Sequence, residues 1–402
     1  MQNFNELGLR PELLRALAAL NFTTPTPIQA AAIPSALAGN DIMGTAQTGT
    51  GKTAAFGIPL ISHLLNHPQD TALVMTPTRE LATQVLDQLQ KMLGSNSVVR
   101  SALLIGGASM GKQMEQLRRA PRLIVGTPGR INDHLQRGSV RLNATRFLVL
   151  DETDRMLDMG FGAQIDKILN YMPRQRQTLL FSATLPANIL KLSGKYLNKP
   201  ERISTGSTNA PAARVKQETI QIREDEKYDQ LLLQLQQRTG SVIVFVKTKW
   251  GADKMAKKLR TLNHTADAIH GNLRQAQRDK TIRAFRNREH RIMIATDIAA
   301  RGLDIPHIEH IINYDLPQAP EDYIHRIGRT ARNGAEGEAV NLVTPKDIKK
   351  WNAIQRLINP GERTGRLADS SQPEHSNRSR SGKRKNGHVH RRKARASFRP
   401  AA

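Results

Sequence analysis

Hydrophobic residues fall in short, nearly continuous runs separated by longer stretches with helical spacing. In the first half of the chain these runs predict strands at Asp41–Met43, Leu73–Met75, Ala102–Ile105, Leu123–Val125, Phe147–Leu150 and Thr178–Phe181. The same rhythm returns in the second half, with strands predicted at Ser241–Val246, Ala266–His270, Arg291–Ala295, His310–Asn313 and Glu338–Leu342. Apolar strands that alternate with helices indicate parallel sheets covered on both faces.

The remaining segments set the domain boundaries. The first 40 residues predict two helices, one with an apolar stripe and one from Ile28 to Leu37, joined by a loop that Pro25 and Pro27 make rigid. The small polar residues of Ser204–Pro211 predict a linker. Beyond Pro360 apolar periodicity is lost, which predicts a disordered tail. We therefore expect domains at residues 1–206 and 215–360, a linker at 207–214 and a tail at 361–402.

Composition excludes several classes of protein. The 402 residues include no Cys, so disulfides, thiolate-bound zinc and thiol catalysis are excluded, and a cytoplasmic location is expected. No apolar stretch reaches the length of a membrane span, and the first residues lack the pattern of a signal peptide. The histidines are not spaced like metal ligands, although His388 and His390 could bind a metal weakly.

The net charge of +25 points to a polyanionic partner. Gly361–Ala402 carries 12 basic side chains against 3 acidic ones, a net charge of +9, so the rest of the chain carries +16. Both parts are therefore basic, and nucleic acid is the expected partner. Charge alone does not separate RNA from DNA.

One octapeptide, Ala46–Thr53, has the pattern of a phosphate-binding loop between a strand and a helix. Gly49 and Gly51 allow a tight backbone turn whose N–H groups face phosphate oxygens. Lys52 can reach the β- and γ-phosphates, and the Thr53 hydroxyl can ligate Mg²⁺. The alternative is a Gly/Thr-rich turn that happens to contain a lysine.

A second chemical signal follows the strand at Phe147–Leu150, where Asp151 and Glu152 stand at its carboxyl end. Open α/β sheets bind ligands at that edge. Asp151 would hold Mg²⁺, and Glu152 would orient and deprotonate the attacking water. The alternative is an acidic first helical turn, but the upstream phosphate loop favours the catalytic interpretation.

From Phe4 to about Pro345 the chain resembles the DEAD-box ATP-dependent RNA helicases. Asp151-Glu152-Thr153-Asp154 resembles the signature tetrapeptide, with Thr153 where Ala is usual. Residues 2–30 resemble the Q motif, with Asn21 where Gly is usual, and His325–Arg332 resembles the last motif, with Ala331 for the commoner Gly. Further matches are Pro77–Ala82, Gly106-Gly107, Thr127–Arg130, Ser182-Ala183-Thr184 and Ala295–Asp304.

The resemblance implies α/β architecture with two RecA-like P-loop domains, each a parallel sheet with helices on both faces. It implies that ATP and RNA bind across the cleft between the domains. The implied ATP contacts, beyond Lys52, Asp151 and Glu152, are Phe22, Gln29, Ala46, Gln47, Thr48, Gly49, Thr50, Gly51, Thr53, Asp304 and the arginine fingers Arg329 and Arg332. The implied coupling residues are Asp154, Ser182, Ala183, Thr184 and His325. The implied RNA contacts are Pro77, Thr78, Arg79, Gly106, Gly107, Thr127, Pro128, Gly129, Arg130, Thr296 and Arg301.

Several of these assignments also follow from side-chain chemistry. The Gln29 amide can donate and accept together, as the N6/N7 edge of adenine requires. Phe22 and Phe4 could wall the base, or could simply pack in the core. The RNA set offers contacts to sugar and phosphate but nothing that reads bases, so RNA recognition with little sequence specificity is expected.

The sequence thus predicts a cytoplasmic ATPase that uses ATP and Mg²⁺ to separate short RNA duplexes. Two alternatives stay open: a DNA-directed helicase, and an RNA clamp that hydrolyses little ATP. A weaker resemblance connects the short basic tail with the bacterial RhlE-like branch. RNA is the expected partner, ribosomal or RNA-decay complexes are candidates for further partners, and no membrane partner is expected.

Overall fold

Two parallel β-sheets organise the protein in the computed structural model, which describes residues 3–46, 49–94, 97–184, 187–205, 215–300, 305, 307–331 and 336–359. The first sheet has seven strands, and all of its pairs are parallel. The second has six strands, which are also parallel. We call the described residues up to 205 the first lobe and those from 215 to 359 the second lobe.

The first lobe alternates strands and helices as the hydrophobic pattern predicts. Its strands are β1 Ile42–Thr45, β2 Thr71–Met75, β3 Ser101–Leu104, β4 Leu123–Gly126, β5 Thr145–Leu150, β6 Gln177–Ser182 and β7 Glu201–Ser204. Its α-helices are α1 Pro11–Ala19, α2 Pro27–Leu37, α3 Lys52–Asn66, α4 Arg79–Leu93, α5 Met110–Arg118, α6 Pro128–Gln136, α7 Thr153–Asp158, α8 Gly162–Leu169 and α9 Ala187–Tyr196, after a 3₁₀ turn at Phe4–Leu7.

The second lobe repeats this alternation on a smaller scale. Its strands are β8 Val215–Gln221, β9 Val242–Phe245, β10 Ala266–Ile269, β11 Ile292–Ala295, β12 His310–Asn313 and β13 Gly337–Val343. Its helices are α10 Lys227–Gln237, α11 Lys249–Thr261, α12 Gln275–Arg286, α13 Asp297–Ala300, α14 Pro320–Ile327 and α15 Ile348–Ile358, with a 3₁₀ turn at Pro345–Asp347.

Each sheet is buried on both faces, which explains its uninterrupted apolar strands. The strand order is β3-β4-β2-β5-β6-β1-β7 in the first sheet and β10-β11-β9-β12-β13-β8 in the second. The four residues of β9 are all buried, as are those of β4 and β11. Two hydrophobic clusters flank each sheet, one on either face. Because all strands of a sheet are parallel, their carboxyl ends share one edge, where open α/β sheets bind ligands. Among the described residues, no helix is long and apolar enough to cross a membrane.

The hydrophobic pattern misses two strands, β7 and β8. In β7 only Ile203 is buried, and in β8 only Val215 is buried. The other residues of both strands are exposed or half-buried, so neither strand forms a hydrophobic run. Both strands lie at a sheet edge, where one side of the backbone faces no neighbour and charged residues are tolerated. The predicted start of the linker at Ser204 is therefore wrong, because Ser204 pairs with Thr45 in the first sheet. The expected linker at 207–214 and the expected tail at 361–402 lie outside the described residues.

Candidate active site and RNA-binding edge

The phosphate loop joins β1 to α3, and its glycines are needed for its backbone shape. Gly49 and Gly51 have φ angles of 84° and 90°, in the left-handed region that favours glycine. A Cβ at Gly51 would also collide with the side-chain amide of Gln29. The loop leads directly into the amino end of α3, where backbone N–H groups and the helix dipole favour an anion. Gln47 and Thr48 lie outside the described residues.

Lys52 is the first residue of helix α3 and is buried, with 7% of its surface exposed. Its ammonium donates to the carbonyl oxygen of Ala46 over 2.8 Å, so it bends back across the loop. A bound phosphate would offer this ammonium a charged acceptor in place of a neutral carbonyl, which strengthens the hydrogen bond.

Asp151 and Glu152 follow β5 at the same sheet edge and are 3% and 4% exposed. Burial raises the pKa of Asp151 to about 6, and the nearby Lys52 charge partly opposes that rise. The Asp151 carboxylate accepts a hydrogen bond from the backbone N–H of Glu152 over 2.9 Å. Glu152 itself has φ 50° and ψ 52°, a left-handed conformation that is unfavourable for a glutamate. Strain of this kind is concentrated at functional sites.

The oxygen donors at this edge fit Mg²⁺. Asp151 supplies a buried carboxylate and Thr53, in the first turn of α3, supplies a hydroxyl. Hard oxygen donors of few protein residues, completed by water and phosphate, are what Mg²⁺ prefers. A bound Mg²⁺ would neutralise phosphate charge and would stabilise the ionised form of Asp151.

Asp154 links the acidic motif to the end of β6. One carboxylate oxygen accepts hydrogen bonds from the backbone N–H groups of Ala183 and Thr184 over 3.1 and 3.0 Å, and from the Thr184 hydroxyl over 3.1 Å. Ser182 holds the same loop by donating to the Thr184 carbonyl over 2.6 Å. The hydroxyl of Thr153 instead donates to the Leu150 carbonyl over 3.2 Å, so it contacts its own strand.

Of the residues predicted to surround the adenine base, Phe4 is the one that the structure places elsewhere. Phe4 is 4% exposed and packs edge-on against Phe22, with ring centroids 5.9 Å apart, so Phe4 belongs to the core. Phe22 packs against the core but is only half-buried, so part of its side chain stays accessible. Gln29 is buried; its amide nitrogen donates to the Gly51 carbonyl over 3.1 Å and its oxygen accepts from the Thr26 N–H over 2.9 Å. One amide hydrogen and one lone pair remain for an adenine edge.

The predicted RNA contacts of the first lobe lie at the ends of three adjacent strands, β3, β4 and β2. Arg79 begins α4 and passes over the turn after β3, where a Cβ at Gly106 or Gly107 would crowd its guanidinium. Thr127 precedes α6 and makes no side-chain capping bond there, while Arg130 donates to the Ala108 carbonyl over 3.3 Å. The predicted nucleotide contacts follow β5 and β1, and the predicted coupling residues follow β6, on the other half of the same edge. The remaining members of the predicted RNA set adjoin these residues: Pro77, Thr78, Pro128 and Gly129.

Arg329 and His325 of the second lobe face the first lobe across a small cavity. The cavity is lined by Arg155, Phe245, Asp297, Asp322, His325, Arg326 and Arg329. Arg155 of the first lobe forms an ion pair with Asp322 of the second, and both side chains are buried. Arg329 is 3% exposed, and its Nε donates to the His325 carbonyl over 3.1 Å. The predicted finger thus lies at the junction of the lobes.

Arg326 anchors this junction within the second lobe, a role that the sequence interpretation missed. Its guanidinium makes two hydrogen bonds to the Asp297 carboxylate, of 2.6 and 2.8 Å, and others to Asn313 and to the Asp315 carbonyl. The guanidinium also lies 4.6 Å from the Phe245 ring centroid. Because it is fixed on all sides, Arg326 orients α14 and with it the neighbouring His325 and Arg329.

A second contact between the lobes lies beside the predicted RNA contact Arg79. Arg278 lies 2.8 Å from the Glu80 carboxylate, and both side chains are 6% exposed. Gln275 bridges the same pair of helices, accepting from Arg79 and donating to Glu80 over 3.4 Å each. The sequence interpretation missed Gln275 and Arg278. Their only signal was a helix start after a strand end, which many helices share.

Thr296 lies directly after β11 and is 7% exposed. Asp304, Arg301 and Arg332 lie outside the described residues, so their predicted roles are untested by the structure.

The expectation that the histidines are not spaced like metal ligands is wrong in one place, because ligand atoms of His63, His67 and Asp70 lie within 4.8 Å of one another. At the end of α3, His63 Nε2 lies 2.9 Å from Asp70 Oδ2, and the His63 and His67 rings stack with centroids 4.3 Å apart. His67 Nδ1 lies 3.0 Å from the His63 carbonyl. Burial lowers the pKa of His63. These contacts close the carboxyl end of α3 against the turn before β2, on the edge opposite the phosphate loop.

Comparison with known families agrees with this layout. The chain matches the DEAD/DEAH box helicase domain over residues 26–192 and the helicase conserved C-terminal domain over residues 225–334. It is 44% identical over 358 residues to the DEAD-box ATP-dependent RNA helicase CshA of Geobacillus kaustophilus, covering 89% of this chain and 76% of that protein. The chain therefore belongs to the DEAD-box helicase family, as the sequence resemblance predicts. The finer RhlE-like resemblance stays a prediction.

Two solved structures of one relative, Dbp5 of S. cerevisiae, differ in their likeness to this chain. The TM-score is 0.81 with Dbp5 bound to RNA and ADP BeF3, at 33% identity over 90% of this chain and 95% of that one. It is 0.71 with a point variant of Dbp5 bound to a variant of Gle1 and to IP6, at 34% identity over 90% and 94%. Since identity and coverage are nearly equal, the difference reflects shape, and this chain resembles the RNA-bound form more.

Proposed function

We propose that this protein is an ATP-dependent RNA helicase that locally opens RNA duplexes or RNA–protein contacts when its two lobes close. The observation that carries the proposal is that the carboxyl edge of the first sheet is divided between nucleotide contacts and RNA contacts. In the first lobe, the predicted nucleotide contacts follow β1 and β5, the predicted coupling residues follow β6, and the predicted RNA contacts follow β2, β3 and β4. The second lobe meets both halves, through Arg155–Asp322 at the nucleotide side and Glu80–Arg278 at the RNA side.

In this proposal the phosphate loop and Lys52 bind the phosphates, Asp151 and Thr53 would hold Mg²⁺, and Glu152 accepts a proton from the attacking water. Mg²⁺ supplies charge neutralisation at the phosphates when it is bound. Arg329, with Arg332, stabilises charge that develops in the transition state. Gln29 and Phe22 select the adenine base, and Asp304 contacts the ribose.

Asp154 couples ATP hydrolysis to RNA binding. Its three hydrogen bonds hold the Ser182–Thr184 loop against the acidic motif, so movement at the nucleotide is transmitted to the end of β6. RNA that contacts both lobes favours closure, and linkage requires ATP to favour RNA binding by the same factor. The RNA residues are Arg79 and Arg130 in the first lobe and Thr296 and Arg301 in the second.

The test compares RNA and DNA as stimulators of ATP hydrolysis and as duplex substrates. We expect RNA to stimulate turnover and RNA duplexes to be opened, with single-stranded DNA failing to compete. Lys52→Ala serves as the inactive control, because loss of its charge weakens phosphate binding. Equal stimulation by DNA would replace this proposal with a DNA-directed helicase, and RNA binding with negligible turnover would replace it with a clamp. The cytoplasmic location and the ribosomal or RNA-decay partners remain predictions from sequence.

A further inference from the structure

Trp250, in the first turn of α11, is the most exposed large aromatic side chain in the described part of the chain. It is 70% exposed, whereas the other tryptophan, Trp351, is 3% exposed and packs in the core. A side chain this open adds little to core packing. Isolated exposed apolar residues are common, so exposure alone assigns no role. The positive charges around Trp250 do indicate a role.

The helix that carries Trp250 presents a basic face. Lys254 lies one turn further on, with its ammonium 4.8 Å from the indole ring centroid, and Lys257 follows on the same face. Lys247 and Lys249 precede the tryptophan and are exposed. The acidic residue of α11, Asp253, faces His270, with 2.8 Å between Oδ1 and Nε2. The indole therefore stands in a field of positive charge that complements a nucleic-acid backbone.

The position of Trp250 in the sheet places it beside the proposed RNA path. Helix α11 follows β9, and β9 pairs with β11 so that Phe245 lies opposite Ala295, just before Thr296. The Lys249 ammonium donates to Asn272 over 2.7 Å, in the loop that leads to Gln275. Gln275 in turn contacts Arg79 of the first lobe. Trp250 thus lies at the carboxyl edge of the second sheet, the edge that carries Thr296 and that contacts Arg79 of the first lobe through Gln275.

We propose that Trp250 is a stacking platform for a base of single-stranded RNA that flanks the segment held by the two lobes. An indole offers a flat apolar face that stacks on any base, and neighbouring lysines attract the phosphates. The site would add affinity for unpaired RNA without adding sequence preference. This inference rests on the proposed RNA-binding function and goes beyond it, because the predicted RNA set contains backbone contacts only.

The first experiment measures RNA affinity of the full chain with ADP and beryllium fluoride. The probes are an oligoadenylate of about six nucleotides and the same RNA extended by about four nucleotides at either end. We expect one extension to tighten binding to the wild type, and Trp250→Ala to lose about ten-fold on that RNA and little on the short one. Trp250→Phe should keep most of the gain. Tyr171→Ala removes another aromatic ring, 52% exposed, that lies before β6 at the opposite edge, and should change neither affinity.

A second experiment separates stacking from charge. The extension is made abasic, which keeps its phosphates and removes its bases. Wild type should bind the RNA with the abasic extension more weakly than the RNA with the intact extension, and Trp250→Ala should bind these two RNAs equally. Because Trp351 is buried, intrinsic fluorescence should be quenched by the extended RNA in wild type and unchanged in Trp250→Phe.

The outcomes distinguish this inference from the proposed function. If wild type binds the short RNA but Trp250→Ala binds every RNA as tightly, the stacking site is overturned and the proposed function stands. If the loss in Trp250→Ala is equal on abasic and intact RNA, the residue acts without stacking and the inference is also overturned. If wild type binds neither RNA, the proposed function itself fails. Trp250→Ala should unfold at the wild-type temperature, which shows that its loss is local.

Discussion

Glu80 and Arg278 form a buried ion pair of 2.8 Å between the two lobes. Glu80 lies in the first turn of α4, directly after Arg79, and Arg278 lies in the first turn of α12. The pair therefore forms only when the proposed RNA-binding edges of both lobes come together. Burial lowers the pKa of Arg278, which shows the cost of taking the guanidinium from water. Such a pair fixes geometry more than it adds net stability.

Replacing Glu80 by Gln should weaken closure. The substitution leaves Arg278 buried without its counter-charge, which costs about 3–5 kcal/mol when a buried pair is broken. RNA-stimulated ATPase should fall strongly, and ATP binding without RNA should be retained. The measurement is turnover as a function of RNA concentration. Asp87→Asn is the matched control, because Asp87 pairs with Lys91 on the exposed part of α4. Equal effects of both variants would contradict the role of the buried pair.

Replacing Glu152 by Gln should separate binding from chemistry. The amide keeps the shape of the side chain but cannot accept a proton from water, so turnover should fall by about 10² or more. ATP binding should persist, whereas Lys52→Ala should lose it. Single-turnover hydrolysis and nucleotide titration together check this pair of variants. Near-normal turnover of Glu152→Gln would remove Glu152 from the catalytic set.

Asp151 should make the metal-free protein less stable above pH 6. Burial raises its pKa from 3.8 to about 6, so the folded protein binds the proton more tightly than the unfolded chain. The resulting stabilisation is fully present below pH 3.8 and is lost as pH rises through about 6, on the order of 3 kcal/mol. Urea unfolding of wild type and Asp151→Asn in chelator should show this difference in slope between about pH 4 and 7. Parallel pH profiles would contradict the raised pKa.

Ala331 should be a strained position. Its φ is 55°, a left-handed conformation that costs an alanine about 1–2 kcal/mol, which explains why the family that the chain resembles favours glycine there. Ala331→Gly should raise the unfolding free energy by about 1 kcal/mol, after the greater flexibility of unfolded glycine is subtracted. Asn21, with φ 59°, is the control, because asparagine tolerates this region and Asn21→Gly should gain less. Destabilisation by Ala331→Gly would show that its methyl packing outweighs the strain.

The sequence predicted the parts of the fold whose burial is uniform. Strands such as β4 and β9 are buried along their whole length, so their hydrophobic runs were visible. The polar edge strands β7 and β8 were missed because their pairing uses backbone groups rather than apolar side chains. The sequence showed that Asn21 and Ala331 stand where glycine is usual in the family that the chain resembles. It did not show their left-handed φ angles, which depend on three-dimensional packing.

At the candidate site, local motifs were more informative than long-range contacts. Lys52, Asp151 and Glu152 could be named because each stands at a strand end beside a recognisable pattern. The pairs Arg155–Asp322 and Glu80–Arg278 join residues about 170 to 200 positions apart, and no local pattern reports such a distance. The exposure of Trp250 was likewise hidden, because the first turn of a helix can face either the core or water.

Arg329 provides the most direct test of closure. It lies in the second lobe, whereas Lys52, Asp151 and Glu152 lie in the first, so the account requires both lobes for catalysis. The measurement is the ATPase rate of full-length wild type and Arg329→Ala, each with and without saturating RNA. The account predicts strong RNA stimulation of wild type and a loss of about 10³–10⁵ in the stimulated rate of the variant, with nucleotide still bound. RNA-stimulated turnover of Arg329→Ala at the wild-type rate would contradict it.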